Sequence, residues 1–272
     1  MEGTTDIQGK PTLDGTTLAA GVKQRNARGV AITLWIIGFI LLLAAAVIVR
    51  LHPAPWPFDL QTTITLQHLQ PQLSSWVSTP IVWASLVDDQ INSVLAMLSA
   101  FFVLSLIGDF IWYRGGSPLR WFLAAIFIFA GTGVMAGLDA IIGFIAGRPR
   151  PSPSLIHVFM PEPVASFPSG HVENDVVFYG FLLYLSLSKP VSAWRYRWIL
   201  IPLQLYAVLN ILVIGYSRVV EGSHWLTDAL GGYLAGALWL VLLIFLYRWT
   251  LDRLTKRRAM SMLEQSTQAQ QA

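Results

Sequence analysis

The chain has 272 residues, 54% of them apolar and only 12% charged, with no cysteine and a formal net charge of +3. Soluble domains carry about 25% charged residues, so this composition excludes an ordinary water-soluble enzyme and points to lipid as the main solvent. The missing thiols exclude a disulfide framework, a cysteine nucleophile and a cysteine-type zinc site.

Residues 1–29 are polar, and the apolar run behind them is too long for the core of a signal peptide, so it is expected to stay in the membrane. A bilayer core of ~30 Å takes roughly 20 apolar residues in a helix. Residues 30–49 meet that need without one charge, and 91–113 follow with Asp109. Residues 121–146 contain Asp139, and 172–188 open on Glu173, Asn174 and Asp175. Residues 198–216 and 225–247 complete six runs. Because backbone polar groups in hydrocarbon must be satisfied within their own segment, the prediction is all-α: an integral membrane bundle of six transmembrane helices.

Lysine and arginine placement sets the orientation. With six spans, fourteen of these residues fall on the side of the termini, and only Arg50, Arg148, Arg150 and Arg218 fall on the other. The prediction is therefore a multi-pass protein of the cell membrane with both termini cytoplasmic. Residues 1–29 form one tail, 30–247 the membrane domain, and 248–272 a basic second tail. The positive charge is then a topology signal, and no nucleic-acid partner is expected. On the outer face, 58–73 suit a helix lying in the interface, and 147–171 are dense in Pro and Ser. The Gln-rich end, 264–272, is expected to be disordered. Trp35, Trp56, Trp76, Trp112, Trp121, Trp198 and Trp249 lie near span ends, as an aromatic belt requires. Gly231, Gly232 and Gly236 suit close helix packing. His52, His68 and His157 have no recognisable partners and read as structural or solvated. Asp139 is expected to pair with a site arginine or with another helix.

Three polar clusters fall at the outer ends of spans three to six: Arg148-Pro149-Arg150-Pro151, Pro168-Ser169-Gly170-His171, and the stretch 217–228 holding Arg218, His224 and Asp228. His224 and Asp228 are four apart at a helix start and share a face. An Asp there can accept the imidazole Nδ1–H and leave Nε2 to attack. The planar fork of Arg218 suits a phosphoryl group. Ser169 and Gly170 precede a span, where unpaired backbone N–H groups favour an anion. His171 is placed to protonate a leaving oxygen. Together these are the parts of a phosphoryl-transfer site with no metal and no other cofactor.

The clusters resemble the signature of the type 2 phosphatidic acid phosphatase superfamily, K-x6-R-P, P-S-G-H and S-R-x5-H-x3-D. Here the second reads PSGH at 168–171 and the third SRVVEGSHWLTD at 217–228. The resemblance implies a phosphatase acting on a lipid phosphate or pyrophosphate at the outer face. It makes His224 the nucleophile that becomes phosphohistidine, Asp228 its orienting partner and His171 the general acid. Arg150, Arg218, Ser169 and Gly170 would hold the phosphate. One position departs: seven before Arg150 stands Gly143, where the family has Lys, and Arg148 is the nearest replacement for that charge. The expected partners are a phosphorylated lipid substrate and membrane lipids. Alternative readings are a phosphotransferase using an acceptor other than water, and a catalytically silent protein that binds a lipid phosphate.

Overall fold

The structure is a computed structural model that describes residues 15–75, 78–79, 90–159 and 164–271. Lys10, Trp76 and residues 80–89, a stretch expected to lie in an outer loop, are outside the described residues. The chain forms two compact units, residues 1–41 and 42–272. The first holds the start of helix α1 (Gly15–Leu51), where Trp35 stacks on Phe39 one turn later at 5.4 Å.

In the second unit α1 ends and α2 (Pro57–Leu69) follows. Then come α3 (Gln90–Tyr113), α4 (Leu119–Ala146), α5 (Gly170–Leu187), α6 (Ile201–Val220) and α7 (Leu226–Gln271). No strand occurs among the described residues. The expected all-α membrane architecture is therefore observed. Among the described residues, five helical stretches are long and apolar enough to cross a bilayer: Gly29–Leu51, Ile91–Tyr113, Leu119–Ala146, Arg197–Val220 and Leu226–Gln270.

Helix α5 is the sixth helix of the bundle and has a different character. It packs against α4, α6 and α7 and so faces protein on several sides. A helix in that position can carry Glu173 and Asp175, both buried, because neither has to face lipid. Asp175 accepts a hydrogen bond from Asn210 of α6 at 2.8 Å. On the periphery, Phe102 and Leu106 of α3 and Leu203 and Leu212 of α6 are exposed, the apolar surface a bilayer would cover.

The seam between α5 and α7 is unusually close. A Cβ at Gly232 would lie 2.6 Å from the Ser169 carbonyl, and one at Gly236 2.8 Å from Val176. The Gly231–Gly236 stretch thus lets α7 sit against the segment that opens α5. At the other end, Phe181, Ile128 and Tyr247 join α4, α5 and α7 in an apolar core, and the Tyr247 hydroxyl donates to the Arg120 carbonyl at 3.2 Å.

Two expectations outside the membrane are resolved. Helix α2 occupies 57–69 and a 3-10 turn continues through Gln72, close to the helix read at 58–73. The Gln-rich end is helical rather than disordered, since α7 continues to Gln271. Leu, Met, Ala, Glu and Gln are strong helix formers, and a helix already nucleated inside the bundle extends through them without a new nucleation step.

Candidate active site

The ends of four helices converge here. Helix α4 stops at Gly147, whose φ of +57° is a left-handed cap that glycine adopts without penalty. That turn sends Arg148 inward, where it is 1% exposed, and leaves Arg150 half-buried two residues later. The segment before α5 then crosses the same end, with the Ser166 N–H bonded to the Arg148 carbonyl at 2.9 Å.

His224 lies between α6 and α7 and is fully buried. Its backbone N–H donates to the Arg218 carbonyl at 3.2 Å, tying it to the end of α6. Its ring has two fixed partners: Nδ1 is 2.7 Å from the Ser166 carbonyl, and Nε2 is 3.1 Å from Nη1 of Arg150. A carbonyl only accepts and a guanidinium only donates, so the proton sits on Nδ1 and the lone pair on Nε2. Burial, with the Arg150 charge and His171 beside it, holds His224 well below the ordinary histidine range. The ring is therefore a neutral imidazole with its Nε2 lone pair turned toward an arginine.

The orientation differs from the simplest i,i+4 expectation. Asp228 Oδ2 is 3.9 Å from Nδ1, beyond hydrogen-bonding distance, and the Ser166 carbonyl takes the Nδ1–H instead. Asp228 works one step back. Its Oδ2 accepts from the Ser166 hydroxyl at 2.5 Å and from the Trp225 N–H at 2.9 Å, a reciprocal cap on the first turn of α7. Its Oδ1 accepts from Arg148 at 2.6 Å. Ser166 thus links Asp228 to the imidazole through its hydroxyl and its carbonyl, a role no spacing rule could have signalled.

Arg148 is the second correction. Expected to replace the missing lysine, it is instead committed to protein carboxylates: 2.7 Å from Asp59 and 2.6 Å from Asp228, all three side chains being buried. A guanidinium already satisfied by two carboxylates is not offered to an incoming phosphate. Gly143 itself is buried in α4, and a Cβ there would meet Ala165 and the Phe167 carbonyl at ordinary contact distances. Arg50, at the end of α1, lies against Gly147 and adds a further positive charge at this end of α4.

The remaining candidates surround the imidazole. The His171 ring is 6.1 Å from that of His224, edge to face, in the first turn of α5. The charges of Arg218 and Arg150 both bear on His171. Ser169 caps α5, its N–H bonded to the Asp228 carbonyl at 3.0 Å, while its buried hydroxyl has no hydrogen-bond partner. A buried hydroxyl in that state beside a helix N-terminus fits an anion's oxygen. Arg218 pairs with Glu221 at 2.9 Å near the surface of the site. Asp139 turns out to face a carboxyl: it lies beside Glu173, and its Oδ2 would be 2.9 Å from a Cβ at Gly170.

Fold and site together define a class: a helical membrane bundle whose converging helix ends carry paired histidines, arginines and an anion-suited helix start. Residues 128–253 match the family model of the PAP2 superfamily, in agreement with the resemblance carried by the three clusters. Among solved structures the fold is similar to "Crystal structure of the first transmembrane PAP2 type phosphatidylglycerolphosphate phosphatase from Bacillus subtilis". That match has a TM-score of 0.57 and 19% identity, covering 78% of this chain and 94% of the other. No curated protein matches the chain.

Proposed function

We propose that this protein is a membrane phosphatase that hydrolyses a lipid phosphate or pyrophosphate at the outer membrane face through a phosphohistidine on His224. The observation that carries the reading is the imidazole itself: Nδ1–H held by a backbone carbonyl and Nε2 presented to Arg150. The PAP2 region and the likeness to a structure titled as a phosphatidylglycerolphosphate phosphatase support it.

On this reading a phosphoryl group displaces the contact between Arg150 and Nε2, and its oxygens take donors from Arg150, Arg218, Ser169 and the N–H groups opening α5. The Nε2 lone pair attacks phosphorus in line. The bond from phosphorus to the lipid oxygen breaks, and His171 gives that oxygen a proton. Water then attacks the phosphohistidine, His171 takes its proton, and inorganic phosphate leaves with His224 restored. Positive charge comes from arginines, so the reading calls for no metal. A lipid substrate follows from a site at the end of apolar helices, level with headgroups. The excess of Lys and Arg on the opposite side assigns both tails, 1–29 and 248–272, to the cytoplasm.

The test is phosphate release by protein in detergent with EDTA, from phosphatidic acid and from a polyprenyl pyrophosphate. Release that survives EDTA and disappears in His224→Ala is the expected result. Gly143 favours one second reading, transfer to an acceptor other than water, since the usual lysine charge is missing. Under that reading no free phosphate accumulates, and phosphorylated acceptor forms only when an acceptor is supplied.

A further inference from the structure

Helix α2 lies outside the matched region 128–253, yet it sends one carboxylate into the centre of the site. Asp59, in the first turn of α2, is 0% exposed. Its Oδ1 accepts the Thr227 backbone N–H at 2.9 Å. Its Oδ2 accepts from the Thr227 hydroxyl and from Arg148, both at 2.7 Å. The Thr227 hydroxyl in turn accepts from Arg148 Nη1 at 2.6 Å, so the ring of contacts closes. Trp56, at the cap of the same helix, lies 5.6 Å from the Arg148 guanidinium.

We propose that Asp59 is a positioning residue for the His224 centre, acting through Arg148 and the first turn of α7. The proposal rests on the reading of His224 as nucleophile. Each link is short. Asp59 holds one side of Arg148 and Asp228 the other; Asp228 holds the Ser166 hydroxyl; the Ser166 carbonyl holds Nδ1 of His224. Asp59 also caps Thr227, three residues beyond His224.

Aspartate is required rather than merely polar bulk, because three donors converge on its two oxygens. Asparagine has the same shape but turns an NH2 toward one of those donors, which leaves a buried donor facing a donor. The helix itself has independent anchors. Gln67 donates to the carbonyls of His157 at 2.7 Å and Val220 at 2.9 Å, so α2 stays docked when Asp59 is changed.

The experiment uses the full chain in detergent with Asp59→Asn, Asp59→Glu and Gln67→Ala, each beside His224→Ala. Turnover on phosphatidic acid is expressed per active centre, counted from the phosphoenzyme burst, and thermal stability is measured in parallel. Asp59→Asn is expected to lower kcat per centre about 30- to 100-fold, with KM within ~3-fold. Asp59→Glu, which keeps the charge, is expected to recover about tenfold of that loss. Gln67→Ala is expected to lower Tm while keeping kcat per centre. An Asp59→Asn protein with wild-type kcat per centre would overturn the proposal. So would a loss equally large in Gln67→Ala, which would make α2 docking the cause.

Turnover that survives His224→Ala would remove the nucleophile reading, and this inference with it. Vanadate, a phosphoryl analogue, gives a readout without lipid turnover, through tryptophan fluorescence. Its affinity is expected to fall about tenfold in Asp59→Asn; unchanged affinity would count against the proposal.

Discussion

Arg148 and Arg150 stand two residues apart in one Arg-Pro-Arg-Pro run, and the structure uses them in opposite ways. The layer around Arg148 is a buried network of two carboxylates, a threonine and a serine, with the guanidinium Nε left without a partner. Arg150 is half-buried, and its contacts include two backbone carbonyls and the lone pair of His224. An arginine ion-paired to two buried carboxylates holds geometry, whereas a half-buried one beside the His224 lone pair is placed to receive an anion.

The sharpest way to break that contrast is to remove each arginine in turn. Arg148→Met leaves Asp59 and Asp228 buried without their cation and is expected to cost about 3–5 kcal/mol of stability, read as a fall in Tm or failure to yield folded protein. Arg150→Gln is expected to leave Tm nearly unchanged and to lower kcat/KM about 10²- to 10³-fold. Equal effects of the two variants on stability would erase the distinction.

A smaller effect separates the layers by pH. An ordinary histidine of pKa near 6.5 would be about 90% charged at pH 5.5, whereas His224, held well below that range, is expected to stay neutral there. Nitrogen NMR of labelled histidine checks this through the Nδ1–H tautomer. Taking away the Arg150 charge in Arg150→Gln is expected to move the titration back up toward 6.5. Linkage follows the same sign: below pH 6.5 the unfolded chain binds a proton that folded His224 refuses, so this residue lowers stability as pH falls. The smallest effect concerns the carboxyl pair of Asp139 and Glu173. Removing one of two like groups relieves repulsion, so Glu173→Gln is expected to leave stability within ~0.5 kcal/mol or raise it. A clear fall in Tm would show that Glu173 serves a partner other than Asp139.

The legibility of this molecule follows the same division. Spans are readable because apolar length is a local property; i,i+4 spacing puts His224 and Asp228 on one face but does not foretell that the Nδ1–H goes to the Ser166 carbonyl. Helix α5 was recognisable despite Glu173 and Asp175, though only its neighbours explain why those acids are tolerated. The duty of Arg148 was not readable. Its direction depends on the left-handed turn at Gly147 and on Asp59, 89 residues earlier, and no periodicity links such positions. Ser166 escaped for a similar reason, because half of its role belongs to a backbone carbonyl, which every residue possesses. The helical continuation to Gln271 is not legible in polar composition, because helix propensity decides it.

The most direct test of the central claim is to identify the atom that accepts the phosphoryl group. Protein mixed with lipid labelled at the phosphate is quenched in alkali, which preserves phosphohistidine, and its peptides are mapped. The account predicts label on Nε2 of His224, reached within one turnover and absent from His224→Ala. Phosphate release from wild-type protein with no label on His224, or with label on His171 instead, would contradict it.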